Sequence, residues 1–196
     1  MFFQSWGLFL LVLKIQYPHL SILLLNSVFL IFSISSNTVQ LLINNTINRA
    51  NRGIRFIGTG GEYYNNLSNN IISNSTSVGI DNVFAAVYYN TFYRNTLINN
   101  SAGISFNDGF DHSLFVDNII INSSNLDIQN AGNNNTFINT TFNKSKVSVT
   151  GGYINVLWYL DVNVSDSNYG VGVNNANVSA WNNTNNLAFT ENTGVS

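Results

Sequence analysis

The chain of 196 residues has no cysteine, one proline and two histidines. Without cysteine there are no disulfide staples, no thiolate zinc sites and no cysteine nucleophiles. Charge is equally scarce. Asp, Glu, Lys and Arg make up 8% of the residues, against about 25% in an ordinary soluble domain, and the net charge is −2. Such a chain offers no basic field to a phosphate backbone. Its aromatic residues are not interleaved with Lys or Arg, so nucleic acid is not an expected partner. With only His19 and His112 as imidazoles and Met1 as the sole thioether, no metal site and no cofactor are expected. Long helical periodicity is also missing, since no stretch of ten residues shows apolar spacing at 3.6.

Amides supply the polarity instead: the chain contains 37 asparagines. Single aliphatic residues recur among them, as in NNIISNSTSVGI at 69–80, NTLINNSAGISF at 95–106 and NIIINSSNLDI at 118–128. Wrapped on that repeat, the chain shows a column Leu42, Leu67, Phe92, Phe115, Phe137 and a second, five residues later, Ile47, Ile72, Leu97, Ile120, Phe142. A third column reads Ile54, Ile80, Ile104, Leu126, Val147. Two residues beyond it lie Phe56, Asn82, Phe106, Ile128 and Val149, a separation that keeps side chains on one face of a strand. Short strands repeating every 22–25 residues predict a solenoid. The period is too long for hexapeptide coils, and the regular leucines of leucine-rich repeats are missing. An all-β, right-handed parallel β-helix of about five coils over 37–152 is the expected fold.

Two polar columns accompany the apolar ones: Asn45, Asn70, Asn95, Asn118, Thr140 and Gln40, Asn65, Asn90, Ser113, Asn135. An amide is both donor and acceptor, so identical amides stacked at the ~4.8 Å strand spacing can bond up and down a ladder. Asparagine also tolerates the left-handed backbone of sharp corners. Shape is therefore the expected role of these columns. Eleven N-x-Ser/Thr triplets, counted from their acceptors, occur at Asn44, Asn66, Asn74, Asn99, Asn122, Asn134, Asn139, Asn143, Asn163, Asn177 and Asn182.

On the N-x-aliphatic-x-x-N elements and the Gly79-Ile80 and Gly103-Ile104 pairs, residues 37–150 resemble the parallel β-helix repeats of the NosD-like and pectin-lyase-like superfamily. That resemblance implies a frame shared by polysaccharide lyases, hydrolases, accessory proteins and surface proteins, so it is specific for architecture and weak for activity. Copper handling, which goes with the NosD name, is not carried over, because the ligands it requires are missing.

At the amino terminus, LSILLLNSVFLIFSIS at 20–35 follows the patch GLFLLVL at 7–13. Length and flanks make residues 1–36 an expected export signal or membrane anchor, with 7–35 as the membrane contact. The mature chain is then expected at the cell envelope or outside the cell. From 153 to 196 the period disappears, and alternating apolar and polar runs predict a partial β-sandwich-like module. It resembles the immunoglobulin-like or carboxypeptidase-regulatory-like modules that follow β-helices in archaeal surface proteins.

Two candidate sites emerge. Tyr64, Tyr89 and His112 precede the first apolar column by three residues, with Tyr63, Tyr88 and Asp111 one residue earlier. Of these two rows one is expected to face in and the other out, giving an aromatic strip for polysaccharide or cell-envelope components. The turn NDGFDH sets Asp108, Asp111 and His112 together, an alternative catalytic cluster for a carbohydrate-active lyase or glycoside hydrolase. Against it stands the lack of any second carboxylate column. The expected function is a noncatalytic surface β-helix serving as rigid stalk or polysaccharide-recognition surface. Arg94 with Asp117, and Arg49 with Arg52 and Arg55, are the remaining charged groupings.

Overall fold

The five-residue spacing between the first two apolar columns becomes three-residue strands joined by two-residue corners, as in Thr91–Tyr93, the corner Arg94-Asn95, and Thr96–Ile98. The computed structural model describes residues 11–14, 30–34, 41–57, 61–83, 86–107, 109–181 and 184–194. It is a nearly all-β chain built on a parallel β-solenoid of about four turns. The fifth expected coil is incomplete. It supplies the 3-10 turn Lys144–Lys146 and the strand Val147–Val149, but only a single bridge, Ile119 to Thr141, continues the second column.

Four faces run along the solenoid. The seven-stranded face stacks Leu11–Lys14, Leu30–Ile34, Arg52–Ile57, Val78–Val83, Ala102–Phe106, Ile128–Asn130 and Val147–Val149. A six-stranded face runs through Leu41–Ile43, Asn66–Ser68, Thr91–Tyr93, Leu114–Val116, Asn135–Ile138 and Ile154–Leu157. Thr46–Asn48, Ile71–Ser73, Thr96–Ile98 and Ile119–Ile121 make a four-stranded face, and Gly61–Tyr63, Ala86–Tyr88 and Phe110–Asp111 a three-stranded one. All pairings on these faces are parallel.

Register confirms the first column, with Leu42, Leu67, Phe92, Phe115 and Phe137 paired in succession. The second is confirmed from Ile47 through Ile72 and Leu97 to Ile120. The third slips at its fourth coil. Ile128, not Leu126, pairs with Ile104, and Asn130 takes the place opposite Phe106. The turn before this strand explains the shift. Asp127 must point inward, where its carboxylate accepts the N–H of Ser123 at 3.3 Å and of Asn143 at 2.8 Å, and it is 1% exposed. Leu126, half-buried, stays in the turn, and the strand begins at the buried Ile128.

Inside, aromatic rings carry much of the packing. Phe92 stacks on Phe115 at 4.3 Å between centroids and Phe115 on Phe137 at 4.4 Å, so burial and ring stacking act along the same axis as the strand bonds. Corners follow a single rule. Thirteen solenoid residues of the described set have φ between 46° and 60°, and nine of them are Asn, Asp or His, the types that reach this region at least cost. They form three vertical lines: Tyr64, Tyr89, His112, Asn134; Asn44, Asn69, Arg94, Asp117, Asn139; and Arg49, Asn74, Asn99, Asn122. After each corner the next residue turns inward, as Asn65, Asn70, Ser75, Asn90, Asn95 and Asn100 do, all buried.

Glycine is required where adjacent coils come closest. A Cβ on Gly79 would lie 2.7 Å from the carbonyl oxygen of Gly103, and one on Gly103 would lie 2.5 Å from that of Asp127. The recurring Gly-Ile pair therefore marks backbone approach between coils.

The first compact unit is Met1–Trp158 and the second Tyr159–Ser196. The sixth strand of the six-stranded face, Ile154–Leu157, thus falls within the first. In the second unit, Asn177–Trp181 and Leu187–Asn192 form an antiparallel hairpin, and Ser165 bridges Gly172. None of its described residues is buried; Leu160 and Trp181 are 64% and 63% exposed. Residues 1–10, 15–29 and 35–40, which hold most of the expected signal or anchor and Gln40 of the second ladder, lie outside the described residues. Among the described residues no helix is long and apolar enough to cross a membrane.

Candidate functional site: an outer aromatic column and its acidic neighbours

The corner line that begins at Tyr64 brings the expected strip together. Tyr64 and Tyr89 stack with centroids 5.5 Å apart and planes 12° from parallel, and Tyr89 meets His112 at 5.2 Å. Tyr64 is 62% and Tyr89 47% exposed, and His112 is exposed as well. Because all three occupy left-handed corners, strand alternation does not apply to them. The row one residue earlier therefore does not point inward as expected. Tyr88 and Asp111 are half-buried at the surface, and Val87 and Phe110 take the interior positions. A ring stacked on the neighbouring coil presents less of its face to solvent. The column thus forms a narrow exposed aromatic ridge more than a flat stacking platform.

Asp111 is already engaged. Its Oδ1 accepts the N–H of Asn133 at 2.6 Å, while the N–H of His112 donates to the Asn133 carbonyl at 2.9 Å, so both residues fasten their coil to the next. Asp108, the other carboxylate of the alternative catalytic turn, lies outside the described residues. Asp117 sits at the far end of strand Leu114–Val116 from Asp111, where its carboxylate faces Arg94 Nε at 3.7 Å and accepts from Asn139 Nδ2 at 2.8 Å. Arg94 also lies over the Tyr93 ring, 4.7 Å from its centroid. Arg52 and Arg55 converge on Asp81, with contacts of 2.7 and 2.9 Å, and Asp81 is 4% exposed. Among the described residues no three His, Cys, Asp or Glu side chains come together as metal ligands.

No protein-family model matches this chain, and no curated protein or solved structure matches it either. What is shown is the β-helix fold; no match ties the chain to the NosD-like and pectin-lyase-like superfamily.

Sequence reasoning missed a third buried polar line, Ser75, Asn100 and Ser123, one corner beyond the Asn70 ladder. Asn100 is 1% exposed, accepts the N–H of Ser75 at 2.9 Å and donates to the carbonyl of Ile72 at 3.0 Å. Its signal was available: each member follows a rung of the Asn70 ladder by five residues.

Proposed function

We propose that this chain is a noncatalytic β-helix exported to the cell surface, where it acts as a rigid scaffold and meets polysaccharide along the Tyr64, Tyr89, His112 ridge. One observation carries the reading. Each of the four solenoid carboxylates whose side chains are described, Asp81, Asp111, Asp117 and Asp127, is held by groups on other coils or turns. A carboxylate fastened in this way stabilises the stack and is poorly placed to take or give a proton at a glycosidic bond. The stiffness of stacked coils and the exposed ridge of Tyr64, Tyr89 and His112 support the scaffold and contact roles respectively.

The test applies the purified full chain to a glycan array and to a panel of polysaccharides assayed for cleavage. Binding that falls in Tyr89→Ala, with no polymer shortened, is the expected result. Polymer cleavage that disappears in Asp111→Asn would overturn the reading in favour of a lyase or hydrolase.

A further inference from the structure

The corner line Arg49, Asn74, Asn99, Asn122 carries three glycosylation triplets, Asn74-Ser75-Thr76, Asn99-Asn100-Ser101 and Asn122-Ser123-Ser124. They are stacked: the N–H of Asn74 donates to the carbonyl of Ile98 at 3.1 Å, and that of Asn99 to Ile121 at 3.2 Å. Successive acceptors are therefore one strand spacing apart, ~4.8 Å. All three are exposed at left-handed corners, while the residue after each, Ser75, Asn100 or Ser123, turns inward and is buried. On this line the fold separates an outward amide from an inward structural one.

Asn44, a fourth exposed acceptor, stands at the other end of the four-stranded face, just before Thr46–Asn48. That face carries no charged residue: its strands read TIN, IIS, TLI and III, and Ile71 and Ile119 are 46% and 41% exposed. Acceptors thus rim an uncharged face with exposed isoleucines. Of the other solenoid acceptors, Asn143 is exposed at the start of the 3-10 turn, where its Oδ1 accepts the N–H of Ser145 at 3.0 Å, and three are less open. Asn66, Asn134 and Asn139 are half-buried; Asn66 Oδ1 is buried, Asn134 Oδ1 accepts from Asn155 at 3.0 Å, and Asn139 Nδ2 is bound to Asp117.

We infer that Asn74, Asn99 and Asn122, with Asn44, form a rail of N-linked glycans that covers the uncharged four-stranded face. The co-reactant is a sugar activated as a lipid-linked phosphate ester. A bond forms between the asparagine Nδ2 and the sugar C1, the C1–O bond to phosphate breaks, and one amide proton leaves with the phosphate product. The modified Nδ2 keeps one N–H, so the bond Asn74 Nδ2 donates to Asn48 Oδ1 at 2.9 Å survives. Glycans here would supply the hydration that charged side chains give to other protein surfaces.

The test directs the full chain into a eukaryotic secretory pathway behind an added cleavable leader, and protease protection selects chain whose residues 37–196 have reached the lumen, so that residues 1–36 do not decide the outcome. Chain recovered folded is treated with peptide N-glycosidase in 18O water and mapped by mass spectrometry. The expected result is 18O-labelled aspartate at positions 44, 74, 99 and 122, little at 66, 134 and 139, and one glycan mass fewer in Asn99→Gln. Unlabelled corners, or labelling at Asn66, Asn134 and Asn139 equal to that at the corners, overturns the inference. Neither outcome touches polysaccharide binding by the tyrosine ridge.

Discussion

Asn70 gives its side-chain N–H groups to Asn95 Oδ1 at 2.9 Å and to the Leu42 carbonyl at 2.8 Å, while its backbone N–H donates to the same Asn95 Oδ1 at 3.0 Å. One side chain thus bonds its own coil to both neighbours. Asn95 repeats the arrangement with Asn118 and Leu67, and Asn118 reaches the Phe92 carbonyl at 2.8 Å. Thr140 closes the series with a hydroxyl to the Phe115 carbonyl. On this ladder the side-chain N–H groups of Asn70, Asn95 and Asn118 reach partners in adjacent coils, so polar groups that tight corners turn inward are satisfied there.

Asn95→Ala removes two donors and the acceptor shared by both N–H groups of Asn70. The expected loss is at least ~3 kcal/mol, since several buried groups become unsatisfied together. Urea unfolding monitored by circular dichroism measures it; a loss below ~1 kcal/mol, the scale of a surface change, would mean the ladder is incidental.

Backbone handedness predicts a different pattern at the corners. At Asn69, with φ of 54° and an exposed side chain, Asn69→Gly should leave stability nearly unchanged. Asn69→Val should cost roughly 1–2 kcal/mol, because a β-branched residue resists the left-handed region. Equal midpoints for the two variants would contradict the corner assignment.

Gly79→Ala introduces a methyl group against the Gly103 carbonyl and should lower stability by roughly 1–3 kcal/mol through overpacking. Gly194→Ala is the control, since a Cβ there meets nothing within 4 Å. Thermal melts of the two variants should separate, and coincident melting temperatures would show that the coils can move apart without cost.

The Asp81 cluster gives a ranking. Arg55 places Nε and Nη2 on the Asp81 carboxylate and is 18% exposed, whereas Arg52 makes one contact and is 31% exposed. Arg55→Ala should therefore destabilise more than Arg52→Ala, and Asp81→Ala, which strands both guanidinium groups, at least as much as Arg55→Ala. After allowance for solvent screening, roughly 1–2 kcal/mol is expected for Arg55→Ala. Chemical denaturation of the three variants tests the order.

Much of this architecture could be read from residue spacing, because a parallel stack forces identical environments onto residues one coil apart. Leu42 to Phe137 and Asn45 to Asn118 were legible for that reason. The reading slipped where inward positions are polar. Leu126 fits the apolar pattern, but the positions opposite Ile104 and Phe106 belong to Ile128 and Asn130, and the buried Asp127 and Asn130 do not look like core residues. Asn100 was missed as a rung since its neighbours in the line are serines, whose hydroxyls at 75 and 123 are buried without partners. The aromatic column was legible as a vertical line, but its orientation was not. Strand alternation predicts an inward row beside an outward one, and a left-handed corner breaks the alternation at Tyr89. The pairing of Asp111 with a backbone N–H at Asn133 leaves no mark in the sequence at all.

The ladder is tested most directly by hydrogen exchange at the backbone N–H groups of Asn45, Asn70 and Asn95, each of which donates to the side-chain oxygen of the next rung. If amide stacking holds the coils together, these protons exchange only through global unfolding, with the same protection as the core strand at Phe92 and a joint loss of protection in Asn95→Ala. Exchange at these three positions as fast as at an exposed loop, with Phe92 still protected, would contradict the account.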